Sequence, residues 1–337
     1  MLFQKPPLIS ICIPLYGTED YLPRCLESVS KQNFERLEII IVDDGSPAAK
    51  ENSAEKIIRN FKANSKIPVT LICHEENKGL VETRRSAVYQ AKGKYLFILD
   101  SDDQLEPNAL TALYAKAEEN GADIVQGKAD AVFSETQLME IDSEQTEKYR
   151  QVVLAKINKV YGGQLNGAEI LSGYFENSNH NGILWAKLIR REVYLEAFSH
   201  IPPIFCTMAE DVVQYFWLAV CAKKYVGIQD VVYRYSINTG ISSRTKIENL
   251  NRWEKVCSTS SVFTAIYTEL ERLETEENIK VLTDLQRAHL NAMCRFYLKN
   301  NLSQLNSAVV PELKDEAYRM LCDYWGESFV HRIESLN

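Results

Sequence analysis

Acidic residues gather at three places where an enzyme built on a sheet keeps its chemistry. Asp100-Ser101-Asp102-Asp103 ends the apolar run Tyr95–Leu99, and Asp43-Asp44 ends Leu37–Val42. Glu210-Asp211 opens a strongly apolar helical stretch. The first two runs read as buried strands, and ligands of open α/β sheets collect just beyond the carboxyl ends of strands. Carboxylates this close resist joint ionisation unless something positive sits among them. A hard divalent cation, Mn²⁺ or Mg²⁺, suits them, because such ions take oxygen ligands. One or two carboxylates often suffice, with water and substrate phosphate completing the shell. A solvated acidic turn capping the next helix is the alternative. For Glu210-Asp211 the chemical reading is a general base tuned by partial burial. The other reading is a pair of acids favoured by the positive end of a helix dipole.

The elements that must position these acids alternate. Leu8–Pro14 is a strand, and Tyr21, Leu22, Cys25, Leu26 and Val29 follow at helical spacing. The strand Leu37–Val42, a helix Ala54–Phe61, the strand Val69–Cys73, a helix Leu80–Ala91 and the strand Tyr95–Leu99 come next. This order predicts a parallel, doubly wound sheet with helices on both faces, so the polar strand ends share one edge. No G-x-G-x-x-G follows the first strand, and no P-loop pattern occurs. A helix over Asn108–Glu119 and a strand from Ala122 to Gly127 are expected. Residues 134–164 are weakly patterned and yield no element. Then come a helix around Ala168–Tyr174, a strand or turn at Gly182–Ile189, and helices over Arg191–Phe198 and from Met208 to about Ala222. Tyr225–Tyr235 reads as a strand pair or hairpin. Beyond about 245 the apolar spacing turns helical, which sets off a C-terminal extension, 246–337, from a domain over 1–245.

The 337 residues are 45% hydrophobic and 25% charged, the composition of an ordinary globular protein. A formal charge of −8 argues against a nucleic-acid binder. No apolar run has the length of a membrane span, and no signal peptide is visible. Eight cysteines without C-x-x-C pairing suggest reduced thiols and a cytoplasmic setting.

Several pieces, in order, resemble inverting family-2 glycosyltransferases of the GT-A fold, of the bacterial surface-glycan type. Pro14-Leu15-Tyr16 resembles the end of their first strand, and Leu26-Glu27-Ser28-Val29-Ser30-Lys31-Gln32 their first helix. Ile39–Ser46 resembles the segment ending D-D-G-S, Asn77-Lys78-Gly79 with Arg84 the N-x-G…A-R-N segment, and Asp100–Asp103 the D-x-D-D metal motif. Glu210-Asp211 resembles the E-D catalytic pair, with Trp185–Leu188 and Tyr233-Arg234-Tyr235…Ile241-Ser242 as later pieces. The likeness covers about residues 8–245. Gly17 stands where Asn is usual, and Thr83 and Arg85 replace the residues flanking Arg84. Arg85 is then an added cation for the pyrophosphate or for solvent.

The resemblance implies sugar transfer from a nucleotide-diphosphate donor, a UDP-sugar by family habit, to a hydroxyl of a glycan or glycolipid. Residues 1–103 would form the nucleotide-binding half and 104–245 the acceptor half. Asp44, with Asp43 as substitute, would accept a hydrogen bond from the pyrimidine N–H. Pro14, Tyr16, Gly79, Arg84, Asp100 and Ser101 complete the nucleotide set, and Asp102 would hold the metal. Asp211 would be the general base and Glu210 its neighbour at the acceptor. Trp185 and His180 are candidates for the acceptor side, Arg234 for the diphosphate and Ser242 for a lid. For Trp185 a core position is the competing reading, and for His180 a solvated loop. The helical extension is a candidate for peripheral membrane contact or homodimer formation. A nucleotidyltransferase is the alternative enzyme, although its first loop is usually Gly-rich and basic, whereas Tyr16–Asp20 is acidic. A non-catalytic sugar-nucleotide or partner-binding module on the same scaffold is the other.

Overall fold

The computed structural model describes residues 5–47, 53–133, 143–237 and 246–335. Strand β1 (Ile9–Leu15), β2 (Leu37–Asp43), β3 (Val69–Cys73) and β4 (Tyr95–Ile98) form the parallel half of the sheet in the order β3-β2-β1-β4. Successive side chains on a strand point to opposite faces. Ile9, Ile11 and Ile13 therefore enter one core with Ile39, Ile41 and Phe97, while Cys12 enters the other with Ile40, Val42 and Ile98. Strands covered on both faces lose the polar alternation of a half-exposed sheet; β1, β2 and β4 are mostly apolar, with Ser10 donating to Glu38 between β1 and β2 at 2.6 Å.

Helices α1 (Leu22–Ser30), α2 (Ala54–Asn64) and α4 (Ala109–Asn120) cover the first face, and α3 (Leu80–Gln90) covers the second. The acidic run after β4 leads through a two-residue strand β5 (Gln104–Leu105) into α4, which ends at Gly121 in the left-handed conformation.

Beyond β4 the sheet becomes mixed. β6 (Ile124–Val132), β7 (Gln164–Asn166), β8 (Lys187–Arg190) and β9 (Lys224–Ser236) complete it. β8 runs antiparallel to β4 and β6, and β9 runs parallel to β6. The stretch Tyr225–Tyr235 is thus one long strand and not a hairpin. The turn-like Gly227-Ile228-Gln229-Asp230 is where the register to β6 shifts in a bulge, which exposes Gln229 and Asp230 without ending the strand. Only Lys187–Arg190 of the Gly182–Ile189 stretch is strand. The segment that gave no element from sequence holds helix α5 (Ser143–Ile157), and β7 begins at its last residue.

Helices α6 (Ala168–Phe175), α7 (Arg191–Ser199) and α8 (Glu210–Cys221) pack on the face that holds α3. A further layer lies on them: α9 (Leu250–Cys257), α10 (Thr259–Glu276), α11 (Asp284–Ser307), α12 (Lys314–Trp325) and α13 (Glu327–Glu334). Trp253, Phe263, Leu298 and Leu321 share one buried cluster with Phe216 and Trp217 of α8. Among the described residues no helix is long and apolar enough to cross a membrane.

Candidate functional site

The carboxyl ends of β1, β2 and β4 and the start of α8 meet in a cavity of about 420 Å³. Pro14, Tyr16, Asp44 and Gly79 line it from one side, Asp100, Ser101 and Asp102 from another, and Glu210 from a third. Ser242 lies outside the described residues.

Asp44 is 3% exposed. Its Oδ1 takes the Lys78 N–H at 3.0 Å and lies 2.6 Å from His74 Nδ1, and its Oδ2 takes the Gly79 N–H at 2.9 Å. A carboxylate has about four lone-pair directions, so one on Oδ2 is left for a ligand. The loop that Asp44 holds needs two glycines. Gly79 opens α3 at φ +86, and Gly45, at φ +69, would bring a Cβ within 2.7 Å of the Glu76 backbone. Asp43 instead fixes its own turn, accepting the Ser46 N–H at 2.9 Å.

The run after β4 is held by side chains from far along the chain. Asp103, 1% exposed, accepts from the Tyr233 hydroxyl and the Ser236 N–H, each at 2.7 Å. The Asp102 carbonyl accepts from Arg24 Nη2 at 2.6 Å and Ser236 Oγ at 2.7 Å. Ser101 Oγ lies 2.6 Å from Thr18 Oγ1. Packing in the cleft wall pushes the Asp100 carboxyl up to about 7. Arg84 pulls against this, and the charges of Asp102 and Asp211 add to it. Burial, then Asp100 and Asp102, raise Asp103 well above the usual carboxylate range.

Arg84 joins the two ends of the site. It is 2% exposed, its Nη1 donates to Asp211 Oδ1 at 2.6 Å, and its Nη2 lies 3.9 Å from Asp100 Oδ1. Burial would lower its pKa, but the acids around it raise it, Asp211 most. Glu210 and Asp211 form the first turn of α8, after Ala209 at φ +64. Burial and the Asp211 charge push Glu210 up to about 7, against the pull of Arg84. Acids far apart in sequence are therefore within one ion-pair network.

Other expected residues lie elsewhere. Trp185 is 7% exposed, and its ring lies nearly parallel to Tyr233 at 4.6 Å and to Tyr235 at 5.5 Å. It is a core residue, because those strand tyrosines cover the face that a sugar would need. His180 is 1% exposed, packs 4.7 Å from the Tyr225 ring, and is pushed down to about 3 by burial and by Lys187. It is neither a solvated loop residue nor a cavity-lining one. Arg234 pairs with Glu106 and does not line the cavity. Arg85 faces neither pyrophosphate nor solvent: it pairs with Glu82 and donates to the carbonyls of Phe198 and Ile201, each at 2.9 Å, closing the end of α7.

Sequence reasoning missed Arg24 and Ser236, and it gave Tyr233 no role toward the acids. Their partners are 78 to 134 positions away, and no local pattern marks such pairs. Lys187 was also missed as a buried basic residue, its ammonium pushed down to about 7 by burial. It is 1% exposed, donates to Asn181 Oδ1 at 2.8 Å and to the Ile183 carbonyl, and sits 5.1 Å above the Tyr215 ring.

A model of the family described as Glycosyl transferase family 2 matches residues 10–194, more than half of the chain. The chain belongs to glycosyl transferase family 2. GlyG of Streptococcus pneumoniae, named a glycosyltransferase, is 38% identical over 121 residues, which are 36% of this chain and 38% of GlyG. YibD of Escherichia coli, named an uncharacterized glycosyltransferase, is 28% identical over 244 residues, 72% of this chain and 65% of YibD. The matched stretches thus span less than two thirds of these relatives. The crystal structure of TarS 1-349 of S. aureus with UDP-GlcNAc aligns with a TM-score of 0.55 and 17% identity, covering 94% of this chain and 89% of that one. At that identity the likeness concerns the fold, which is the mixed α/β arrangement of these transferases.

Among the described residues no three His, Cys, Asp or Glu side chains converge as a metal cage. The site nevertheless suits a divalent ion. Asp100, Asp102 and Asp103 crowd negative charge onto one turn, which lifts Asp100 and Asp103. An ion held by one or two of these would draw its other ligands from water and phosphate.

Proposed function

We propose that this protein transfers a sugar from a nucleotide-diphosphate donor, a UDP-sugar, to a hydroxyl of a bacterial glycan or glycolipid, with inversion at the anomeric carbon. One observation carries the reading. Asp44, Asp100, Asp102 and Glu210 line a single cavity, and Arg84 ties Asp100 to Asp211 at its edge. This shared lining supports the reading, with Asp211, which is not itself a lining residue, joined to it through Arg84.

In this reading Asp44 accepts the imide N–H of the base with the lone pair left on Oδ2. Pro14 and Tyr16 border the nucleotide, and Asp100 and Ser101 meet the ribose. Asp102, with Asp100 beside it, would hold Mn²⁺ or Mg²⁺, which when bound neutralises charge on the leaving diphosphate. Asp211 takes the proton of the acceptor hydroxyl as its oxygen bonds to the anomeric carbon and the bond to the diphosphate breaks. Arg84 fixes the orientation of that carboxylate. A second reading gives the proton to Glu210, which lines the cavity and titrates near the pH where a general base works best.

Hydrolysis and transfer assays with a panel of UDP-, GDP- and CMP-sugars test the proposal. Asp102→Asn is expected to lose both donor binding and transfer. Asp211→Asn is expected to keep donor binding and lose transfer, with Glu210→Gln as the matched comparison. Unchanged transfer in Asp102→Asn and Asp211→Asn refutes the mechanism. Loss in Glu210→Gln with retention in Asp211→Asn selects the second reading.

A further inference from the structure

The family match stops at residue 194, but the cavity does not. Beyond Tyr235 its wall is built by Ile247, Arg252, Lys255 and Val256, with Gln304 from α11. This wall is anchored. Ile247 bridges to Val309, and its N–H donates to the Ala308 carbonyl at 2.9 Å. Asn249 caps α9 by accepting the Arg252 N–H at 2.9 Å. Trp253, on the other face of α9, is fully buried and donates from its indole to the Ala317 carbonyl at 2.8 Å. Thr207 Oγ1, close before the Glu210-Asp211 pair, donates to the Lys255 carbonyl at 3.3 Å.

Arg252 and Lys255 are three residues apart and so share one side of α9. Arg252 Nη1 donates to the Lys246 carbonyl at 2.6 Å, which holds the guanidinium beside the cavity that it lines. Across the cavity stand Asp44, Asp100, Asp102, Asp103 and Glu210. Among the described residues lining this space, Arg252 and Lys255 are the basic ones. Bare carboxylates repel an oxyanion, so apart from an ion held by Asp102 the attraction for one in this cleft comes from this pair, and Arg and Lys are the side chains that hold phosphate.

We infer that Arg252 and Lys255 form an oxyanion subsite for a phosphate group, making the C-terminal helices part of the active site. The phosphate is either the donor's diphosphate or one carried by the acceptor. The inference rests on the nucleotide-sugar reading above. It assigns that reading a subsite on residues outside the family match.

Calorimetric titration of the full chain decides it, using wild type, Arg252→Gln, Lys255→Gln and the double variant. Melting curves check that each is folded. UDP and uridine are titrated at low salt with Mn²⁺ present. If the subsite serves the donor, the double variant binds UDP about tenfold or more weakly, the scale of lost charge-assisted hydrogen bonds, while uridine binding is unchanged. That loss shrinks as salt rises. In a second arm the protein is saturated with UDP and titrated with inorganic phosphate. Phosphate binding in wild type that disappears in the double variant assigns the subsite to the acceptor side. A double variant equal to wild type in both arms overturns the inference. A wild type that does not bind UDP overturns the nucleotide-sugar reading instead, and inorganic phosphate titrated alone then decides the cation pair by the same comparison.

Discussion

Replacing Arg84 by Met tests the network at its centre. Met keeps much of the length and removes the cation. Asp211 then loses its 2.6 Å partner, and Asp100 loses the positive charge 3.9 Å away. Removing one partner of a buried ion pair costs about 3–5 kcal/mol, because the other charge stays behind uncompensated. Arg84 is 2% exposed, but Asp100 and Asp211 each keep 28% side-chain exposure, so water takes up part of the stranded charge. The expected loss is therefore about 3 kcal/mol, at the low end of that range. The pH dependence adds a second signature. Asp100 titrates at about 7 with Arg84 present, and Arg84 is what holds it down. In the variant its pKa rises further. The Asp100 part of the deficit against wild type is then absent well below pH 7, where the acid is protonated in both proteins, grows as pH rises above about 7, and is complete only above the variant's higher pKa. Arg84→Lys restores one contact and not two, since an ammonium lacks the planar fork, and is expected to fall between the two. Urea denaturation at pH 5.5, 7 and 8.5 measures all three proteins. A loss in Arg84→Met below about 0.5 kcal/mol, the range of ordinary surface substitutions, with no change across pH, refutes the reasoning.

Further substitutions separate packing from chemistry. Trp185→Ala is expected to lose about 3–5 kcal/mol by urea denaturation, the cost of emptying an aromatic core site. Trp185→Phe should leave transfer to any accepted acceptor within a few-fold, and a large rise in acceptor KM there would restore the sugar-stacking role. Asp103→Ala strands the Tyr233 hydroxyl and the Ser236 N–H, and a stability loss of about 1–3 kcal/mol is expected in the same assay. Glu210 holds its proton in the folded state up to about 7, against 4.5 as its ordinary value. The folded state thus binds more protons across that window, so its contribution to stability falls as pH rises from about 4.5 to 7. Glu210→Gln should flatten that part of the pH–stability curve, and an unchanged curve counts against the raised pKa.

Much of the first half was legible because its signals are local. Val69–Cys73 is a strand over the expected residues, and α3 ends one residue short of its expected limit. Strand runs, helical spacing and acids at strand ends need no distant partner to be recognised. The second half was harder. The bulge in β9 looks like a turn in a one-dimensional string, because pairing with β6 alone keeps the chain extended there. Trp185 takes the core position that its apolar neighbours already offered, but His180 was misplaced for a related reason. Its polar neighbours in sequence are replaced in the fold by Tyr225 and Tyr215.

By itself the amino-acid order determined most elements of the first half, the family and the acids on which the proposed function rests, since each of these is written in residues close together. It could not say that Arg84 faces Asp211, that Tyr233 and Ser236 hold Asp103, or that α9 closes the cavity. Those are contacts across 127, 130 and more positions, made when helices pack on a common sheet. Burial then sets the protonation of Asp100 and Glu210, and burial belongs to the folded chain alone.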